Sequence, residues 1–208
     1  EAGMNENAFF QIVARDQPRG TYPKYLLPEQ AYWTVVGSPA DLTEALVSET
    51  GAIEIDQGSF TIEPFLLVDG KLVTWGDVTL RQSLEKNYLP IPSVEWQTGG
   101  LTLTTTAFAA GAAGPESRLL ATYRIASTGA PLKGRLCLAI RPFQVNPPWQ
   151  SIFRPAGWAR TGRIALQDGV VRVDDRTIVP LDRPTGFGAT PFEAGEITEH
   201  LQHGRLPA

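Results

Sequence analysis

The stretch Thr61–Trp75, TIEPFLLVDGKLVTW, decides the fold class. Two strand-like apolar runs, Thr61–Val68 and Lys71–Trp75, flank the turn dipeptide Asp69-Gly70. Asp-Gly between such runs is a strong short-range signal for a β-hairpin, because the favoured two-residue turn needs a positive φ at both central positions. The stretch therefore predicts an antiparallel pair of strands.

Strand signals continue on both sides of this hairpin. Ala52–Asp56 alternates apolar and acidic residues, and a second hairpin is expected where Gly99-Gly100 separates Glu95-Trp96 from Leu101–Phe108. Further strands are expected at Asp77–Glu85, Ser93–Trp96, Ser117–Ser127, Gly134–Ile140, Arg163–Leu166, Val170–Val173 and Arg176–Val179. Roughly ten to twelve short strands separated by turn residues predict an all-β fold, an antiparallel β-sandwich with one or two short helices.

The sequence also predicts an N-terminal strand and one short helix. The apolar run Ala8–Ala14 predicts a strand. Ser38–Leu46 predicts a short helix, because Ser38 can cap it, Pro39 suits its first turn, and Leu42 and Leu46 are four residues apart. We expect Trp33, Trp75 and Trp96 to pack in the core or against the hairpins.

Composition limits the partners and the domain count. The chain has 208 residues, a net charge of −4 and 42% apolar residues, which fits one domain over residues 1–208. A pI near 5.3 with scattered arginines argues against nucleic-acid binding. Apolar runs such as Leu136–Ile140 are far shorter than a membrane helix. The opening Glu1-Ala2-Gly3 leads us to expect a fragment of a longer protein, and either a cytoplasmic or an exported bacterial location fits.

Residue types with catalytic or ligand chemistry are sparse. Cys137, between two leucines, is expected to be a small buried hydrophobe, and His200 and His203 with Glu199 favour a solvated surface over a metal site. The carboxylates that could form a general acid/base pair are Glu54, Asp56, Glu63 and Glu95. Their spacing selects no pair and favours exposed alternating positions. The sequence lacks a serine nucleophile elbow, a P-loop and a dinucleotide fingerprint, so we expect no catalytic residue, metal or cofactor here.

One segment departs from the strand pattern. Arg141–Gln150, RPFQVNPPWQ, follows a strong strand and holds three prolines, which prevent both a helix and a β-ladder. The residues predicted to contact a carbohydrate or a partner are Arg141, Phe143, Gln144, Asn146, Trp149, Gln150, Arg154 and Trp158. Sugar rings pack on indole, and their hydroxyls pair with amides and guanidinium groups. The alternative is that Trp149 and Phe143 close one end of the sandwich.

The runs Tyr88–Trp96, Leu119–Ile125 and Leu138–Gln150 resemble a region of large bacterial proteins described as discoidin-like or coagulation-factor-5/8-type. Those proteins look like relatives of glycoside hydrolases and phosphorylases with an (α/α)6 barrel. The resemblance covers residues 75–165. It implies a β-supersandwich domain, with the catalytic carboxylates in a C-terminal barrel of the same chain, and it assigns no catalytic residue to this sequence.

Three functions are therefore compared. The first is a non-catalytic β-sandwich domain of a carbohydrate-active, glycoside hydrolase-like enzyme, which supports substrate binding or packs on the catalytic barrel and exposes an apolar patch. The second is a free-standing carbohydrate-binding module. The third is a mutarotase-like sugar epimerase, which needs a histidine and a carboxylate converging in one cleft.

Overall fold

The computed structural model describes residues 6–129, 131, 133–147 and 157–207. Within these ranges there are two α-helices, α1 (Glu6–Arg15) and α2 (Ile197–Gln202), and thirteen strands. The strands are β1 (Trp33–Gly37), β2 (Glu44–Ser48), β3 (Ile53–Glu54), β4 (Thr61–Val68), β5 (Lys71–Val73), β6 (Thr79–Glu85), β7 (Leu89–Thr98), β8 (Leu101–Ala110), β9 (Arg118–Ser127), β10 (Gly134–Arg141), β11 (Ile164–Gln167), β12 (Val170–Val173) and β13 (Arg176–Ile178). The prediction of an antiparallel all-β sandwich with short helices is confirmed.

Three antiparallel sheets are formed. The largest has the order β1-β2-β3-β4-β10, with β5 paired to β4, and the second is the meander β6-β7-β8-β9. A small third sheet contains β11, β12 and β13. Both predicted hairpins are present, since Val68 pairs with Lys71 across Asp69-Gly70 and Thr98 pairs with Leu101 across Gly99-Gly100.

The core lies between the two larger sheets. In β8 the inward positions Leu101, Leu103 and Ala107 are buried, which is the alternation expected of a strand with one solvated face. The main buried cluster comprises Val36, Ala45, Val47, Ile53, Leu66, Trp75, Val94, Trp96, Leu101, Leu103 and Ala107. Trp96 is 2% exposed and donates its indole N–H to the Thr50 carbonyl at 2.9 Å, so its one polar group is satisfied. Core packing is confirmed for Trp75 and Trp96, whereas Trp33 is half-buried.

The strand predicted over Ala8–Ala14 is wrong, because this segment belongs to helix α1. A continuous apolar run fits a buried strand or a buried helix equally well. Phe10 and Ala14, four residues apart, fall on one helix face and are buried in a cluster with Tyr25 and Leu26. This tertiary contact favours the helix.

The helix predicted over Ser38–Leu46 is also wrong, because the segment forms the turn between β1 and β2 and the start of β2. Asp41 accepts a hydrogen bond from the Thr43 backbone N–H at 3.1 Å, and Ala40 has a φ of +62°. Leu42 is 98% exposed. Ser, Pro and Asp favour turns as much as helix starts, so these residues alone do not separate the two structures.

The described helices include none that is both long and apolar enough to cross a bilayer.

Candidate functional site

The proline-rich segment after β10 begins in a short two-stranded structure, here called the neck, formed by residues 142–147 and 157–159. Phe143 and Trp158 form an antiparallel bridge. The Ala159 N–H donates to the Pro142 carbonyl at 2.6 Å, and the Gln144 N–H donates to the Gly157 carbonyl at 3.2 Å. The neck therefore brings the chain that precedes segment 148–156, at Gln144, beside the chain that follows it, at Gly157.

The side chain of Gln144 closes the neck. Its carbonyl oxygen accepts from the Gly157 N–H at 2.8 Å, and its NH2 group donates to the Trp158 carbonyl at 3.1 Å. The Tyr25 hydroxyl also donates to the Gly157 carbonyl. Gln144 is 2% exposed, so both ends of its carboxamide are used inside the protein.

A buried carboxylate fixes the neck to the larger sheet. Glu54, at the end of β3, accepts hydrogen bonds from the backbone N–H groups of Gly58 at 2.7 Å, Val145 at 2.7 Å and Asn146 at 3.3 Å. Burial raises the pKa of Glu54, and the three N–H donors oppose that increase. The carboxylate substitutes for the backbone partners that a proline-rich segment cannot obtain from a ladder.

A buried ion cluster lies at the start of the neck. Arg141 Nη1 donates to the Thr21 carbonyl at 2.7 Å and to Glu63 Oε2 at 3.0 Å. Arg141 Nη2 lies 3.0 Å from Glu196 Oε1, and Glu63 also accepts from the Thr61 hydroxyl at 2.9 Å. The guanidinium group thus connects the N-terminal segment, β4, β10 and the residue before α2.

Aromatic rings surround this cation. The guanidinium carbon of Arg141 lies 4.6 Å from the centre of the Phe143 ring and 5.2 Å from that of Tyr22. Phe10 packs on both neck aromatics, with ring centres 5.1 Å from Phe143 and 4.7 Å from Trp158. Burial, together with nearby Glu196, raises the pKa of Tyr22. The neck is therefore supported by polar contacts on one side and aromatic packing on the other.

The structure divides the residues predicted to contact a ligand. Arg141, Phe143 and Gln144 are buried, and the two polar side chains among them bind groups of the same chain. Asn146 and Trp158 are half-buried in the neck. Trp149, Gln150 and Arg154 lie outside the described residues, so contact through them stays a prediction. The alternative role for Phe143, closing one end of the sandwich, agrees with its burial.

Two carboxylates expected at exposed alternating positions are instead buried, so that expectation is wrong for Glu54 and Glu63, which are 1% and 4% exposed. The alternating pattern does not identify exposed side chains here, because β3 and β4 are covered on both faces near the neck. For Glu63 the sequence does contain an indication of burial, since Glu63 lies within one apolar run and Arg141 ends another. A charge in each of two buried strands favours an internal ion pair.

The remaining candidates have local roles. The Cys137 thiol is half-buried beside the cluster of Phe65, Ala139 and Leu201, and burial raises its pKa. His203 Nδ1 lies 2.7 Å from the Glu199 carbonyl oxygen, and among the described residues no hydrogen bond or ion pair joins either histidine to a buried carboxylate. Within the same residues, no three His, Cys, Asp or Glu side chains are close enough together to hold a metal ion.

One side of the sandwich is open. β9 and β10 are edge strands of the two larger sheets and are joined by the short connection 128–133. Ile125 shares the inward face of β9 with Tyr123, and Leu138 shares the inward face of β10 with Leu136, yet Ile125 and Leu138 are each 45% exposed. We call this pair of inward-facing but uncovered residues the open seam.

No family model, curated protein or solved structure matches this chain. The resemblance to the discoidin-like bacterial proteins therefore rests on the residues quoted for it, and what it implies is a proposal.

Proposed function

We propose that this chain is a non-catalytic β-sandwich domain of a carbohydrate-active protein and supports substrate binding through segment 148–156. The observation that carries the proposal is the neck, which holds both ends of that segment with buried hydrogen bonds from Gln144 and Glu54. A loop held at both ends loses less conformational entropy on binding than a free one. Trp149, Gln150 and Arg154 have the side-chain chemistry that sugars use.

The use of the acidic residues supports a non-catalytic role. A glycosidase needs two carboxyl groups facing the scissile bond. Glu54 is occupied by three backbone N–H groups, and Glu63 is occupied by Arg141 and Thr61. Both side chains therefore stabilise the neck and are directed at protein groups.

A glycan array of the wild type and the Trp149→Ala variant tests the proposal. We expect the wild type to retain a defined set of glycans and the variant to lose those that bind segment 148–156, because the indole supplies the stacking surface. Tyr88→Ala is the matched control: Tyr88 is a 71% exposed aromatic residue in the turn between β6 and β7, and its removal should change nothing. A folded wild type that retains no glycan would overturn the proposal.

The open seam favours a second candidate function, packing against a separate catalytic barrel. Inward-facing Ile125 and Leu138 would be covered by such a neighbour, and exposed apolar surface of this kind is typical of an interface. A photo-cross-linking amino acid at position 125, in cells that make the natural protein, should attach to a helical catalytic domain. The same amino acid at Leu42, which is 98% exposed in a turn, should not. Equal labelling from both positions would contradict this role.

A further inference from the structure

An open cleft lies at the end of the four-stranded sheet, at the β7–β8 hairpin. Its volume is about 750 Å³, within the usual range of small-molecule sites. Its lining includes the hairpin glycines Gly99 and Gly100 and the polar residues Asp77, Thr79, Gln97 and Thr102. None of these residues belongs to the neck, so the cleft is a separate surface.

Hydroxyl and carboxamide groups dominate the lining. Thr79, Gln97 and Thr102 are aligned across three neighbouring strands, since Thr79 pairs with Gln97 and Gln97 pairs with Thr102. Side chains in one such row point to the same face of the sheet. The Gln97 NH2 group donates to Glu95, which leaves the Gln97 carbonyl oxygen directed away from that bond as an acceptor.

The carboxylate of Asp77 is fixed at the edge of the cleft. Its Oδ2 atom accepts from the Thr74 backbone N–H at 2.8 Å and from the Thr74 hydroxyl at 2.8 Å. Among the described residues both of these hydrogen bonds use the same oxygen, which leaves Oδ1 with acceptor capacity. A carboxylate whose orientation is already set binds a hydroxyl donor at lower entropic cost.

The hairpin turn forms a rim without side chains. Gly99 and Gly100 have φ values of +52° and +79°, the left-handed geometry of a two-residue hairpin turn. Thr128 fixes the rim, because its backbone N–H donates to the Gly100 carbonyl at 2.8 Å and its hydroxyl donates to the same oxygen at 3.1 Å. A ligand can therefore approach the backbone closely at this end of the cleft.

We propose that this cleft is a second carbohydrate site that binds a neutral oligosaccharide. The assignment to carbohydrate rests on the proposed function, whereas the preference for a neutral sugar comes from the lining. Threonine hydroxyls and a carboxamide both donate and accept hydrogen bonds, as sugar hydroxyls do. The Asp77 carboxylate accepts hydrogen bonds from sugar hydroxyl groups. Its negative charge, and that of Glu95 beside Gln97, repels the carboxylates of uronic acids.

Two-dimensional NMR titration of the wild type with cellotriose, maltotriose and trigalacturonate tests this assignment. At least one neutral trisaccharide should shift the backbone amide signals of Gly99, Gly100 and Thr102 in a saturable manner, and trigalacturonate should not. Thr102→Val and Gln97→Met should each weaken that binding about threefold to tenfold, the cost of one hydrogen bond.

Thr104→Val is the matched control, because Thr104 lies on the same face of β8, two residues along, and does not line the cleft. Its affinity should equal that of the wild type. Trp149→Ala separates the two sites: cleft shifts equal to those of the wild type support a site that is independent of segment 148–156, whereas their loss would overturn the cleft as a separate site. Absence of saturable cleft shifts with either neutral sugar, or equal affinities in Thr102→Val and Thr104→Val, would overturn the cleft assignment.

Discussion

The four-stranded sheet and the neck reach an ordered structure by opposite means. The sheet is a meander of neighbouring strands with apolar residues such as Leu103 and Trp96 on its inner face, and short turns connect β6 to β7 and β7 to β8. The neck has almost no ladder and depends on buried polar groups: Glu54, Glu63, Arg141 and Gln144. Proline removes backbone donors, so side chains must supply the missing hydrogen bonds.

This difference determines how each region responds to substitution. A hydrophobic face tolerates small changes of shape at moderate cost, because apolar contacts are numerous and individually weak. A buried polar network responds sharply to the loss of one member, because the partner that remains is left without a hydrogen bond. The neck should therefore be the more easily disrupted region, although it is the smaller one.

The largest effect is expected from Arg141→Met. The change leaves Glu63 and Glu196 buried without their cation, and breaking a buried pair in this way costs about 4 kcal/mol. Urea unfolding measures the loss. The double variant Arg141→Met/Glu63→Gln should recover part of it, and a single variant as stable as the wild type would show that the cluster does not support the neck.

Leu103→Ala should have a somewhat smaller effect. Leu103 is fully buried between the sheets, and a leucine-to-alanine change in a core costs about 3 kcal/mol through lost contacts and the cavity left behind. The same urea measurement applies. If Leu103→Ala destabilised the protein more than Arg141→Met, the ranking of the two regions would be reversed.

Glu54→Gln should have the smallest effect of the three, about 1–2 kcal/mol, because one of the two acceptor oxygens becomes an NH2 group facing a backbone N–H.

The effect of Glu54→Gln on stability should depend on pH. Burial raises the pKa of Glu54, so the native state binds this proton more tightly than the unfolded chain, and the contribution of Glu54 falls as pH rises through the raised pKa. The cost of the substitution should thus be larger near pH 4 than at pH 7, in unfolding curves of both proteins at each pH. A cost that grows with pH would contradict this.

The sequence predicts the two regions unequally well. Gly99-Gly100 establishes the β7–β8 hairpin locally, and alternation establishes β8, so this part of the four-stranded sheet could be predicted. The neck could not, because Glu54 and Asn146 come together only through the tertiary fold. The same limit explains the wrong strand prediction for Ala8–Ala14. The helix there depends on the burial of Phe10 against distant residues, which no local pattern indicates.

The candidate site shows this limit most clearly. Over residues 142–147 the prolines correctly indicate a break after β10, although Phe143 still forms one antiparallel bridge with Trp158. Nothing in the order of these residues indicates that Gln144 faces inward, since the same residue types serve a ligand or a buried network. The two uses differ in whether the side chains are buried. Burial in turn depends on residues as distant in the chain as Thr21 and Glu196.

The most direct test is the affinity of an array glycan that the Trp149→Ala variant no longer retains, measured by isothermal titration calorimetry for the wild type and for Gln144→Leu. The substitution removes the carboxamide that links the two sides of the neck, through Gly157 and Trp158, but leaves segment 148–156 unchanged. Hydrogen exchange of the β7 and β8 amides verifies that the sheet remains folded. We expect binding at least tenfold weaker, because the ends of the segment are no longer held. An unchanged affinity in the folded variant would contradict the claim that the neck positions the binding segment.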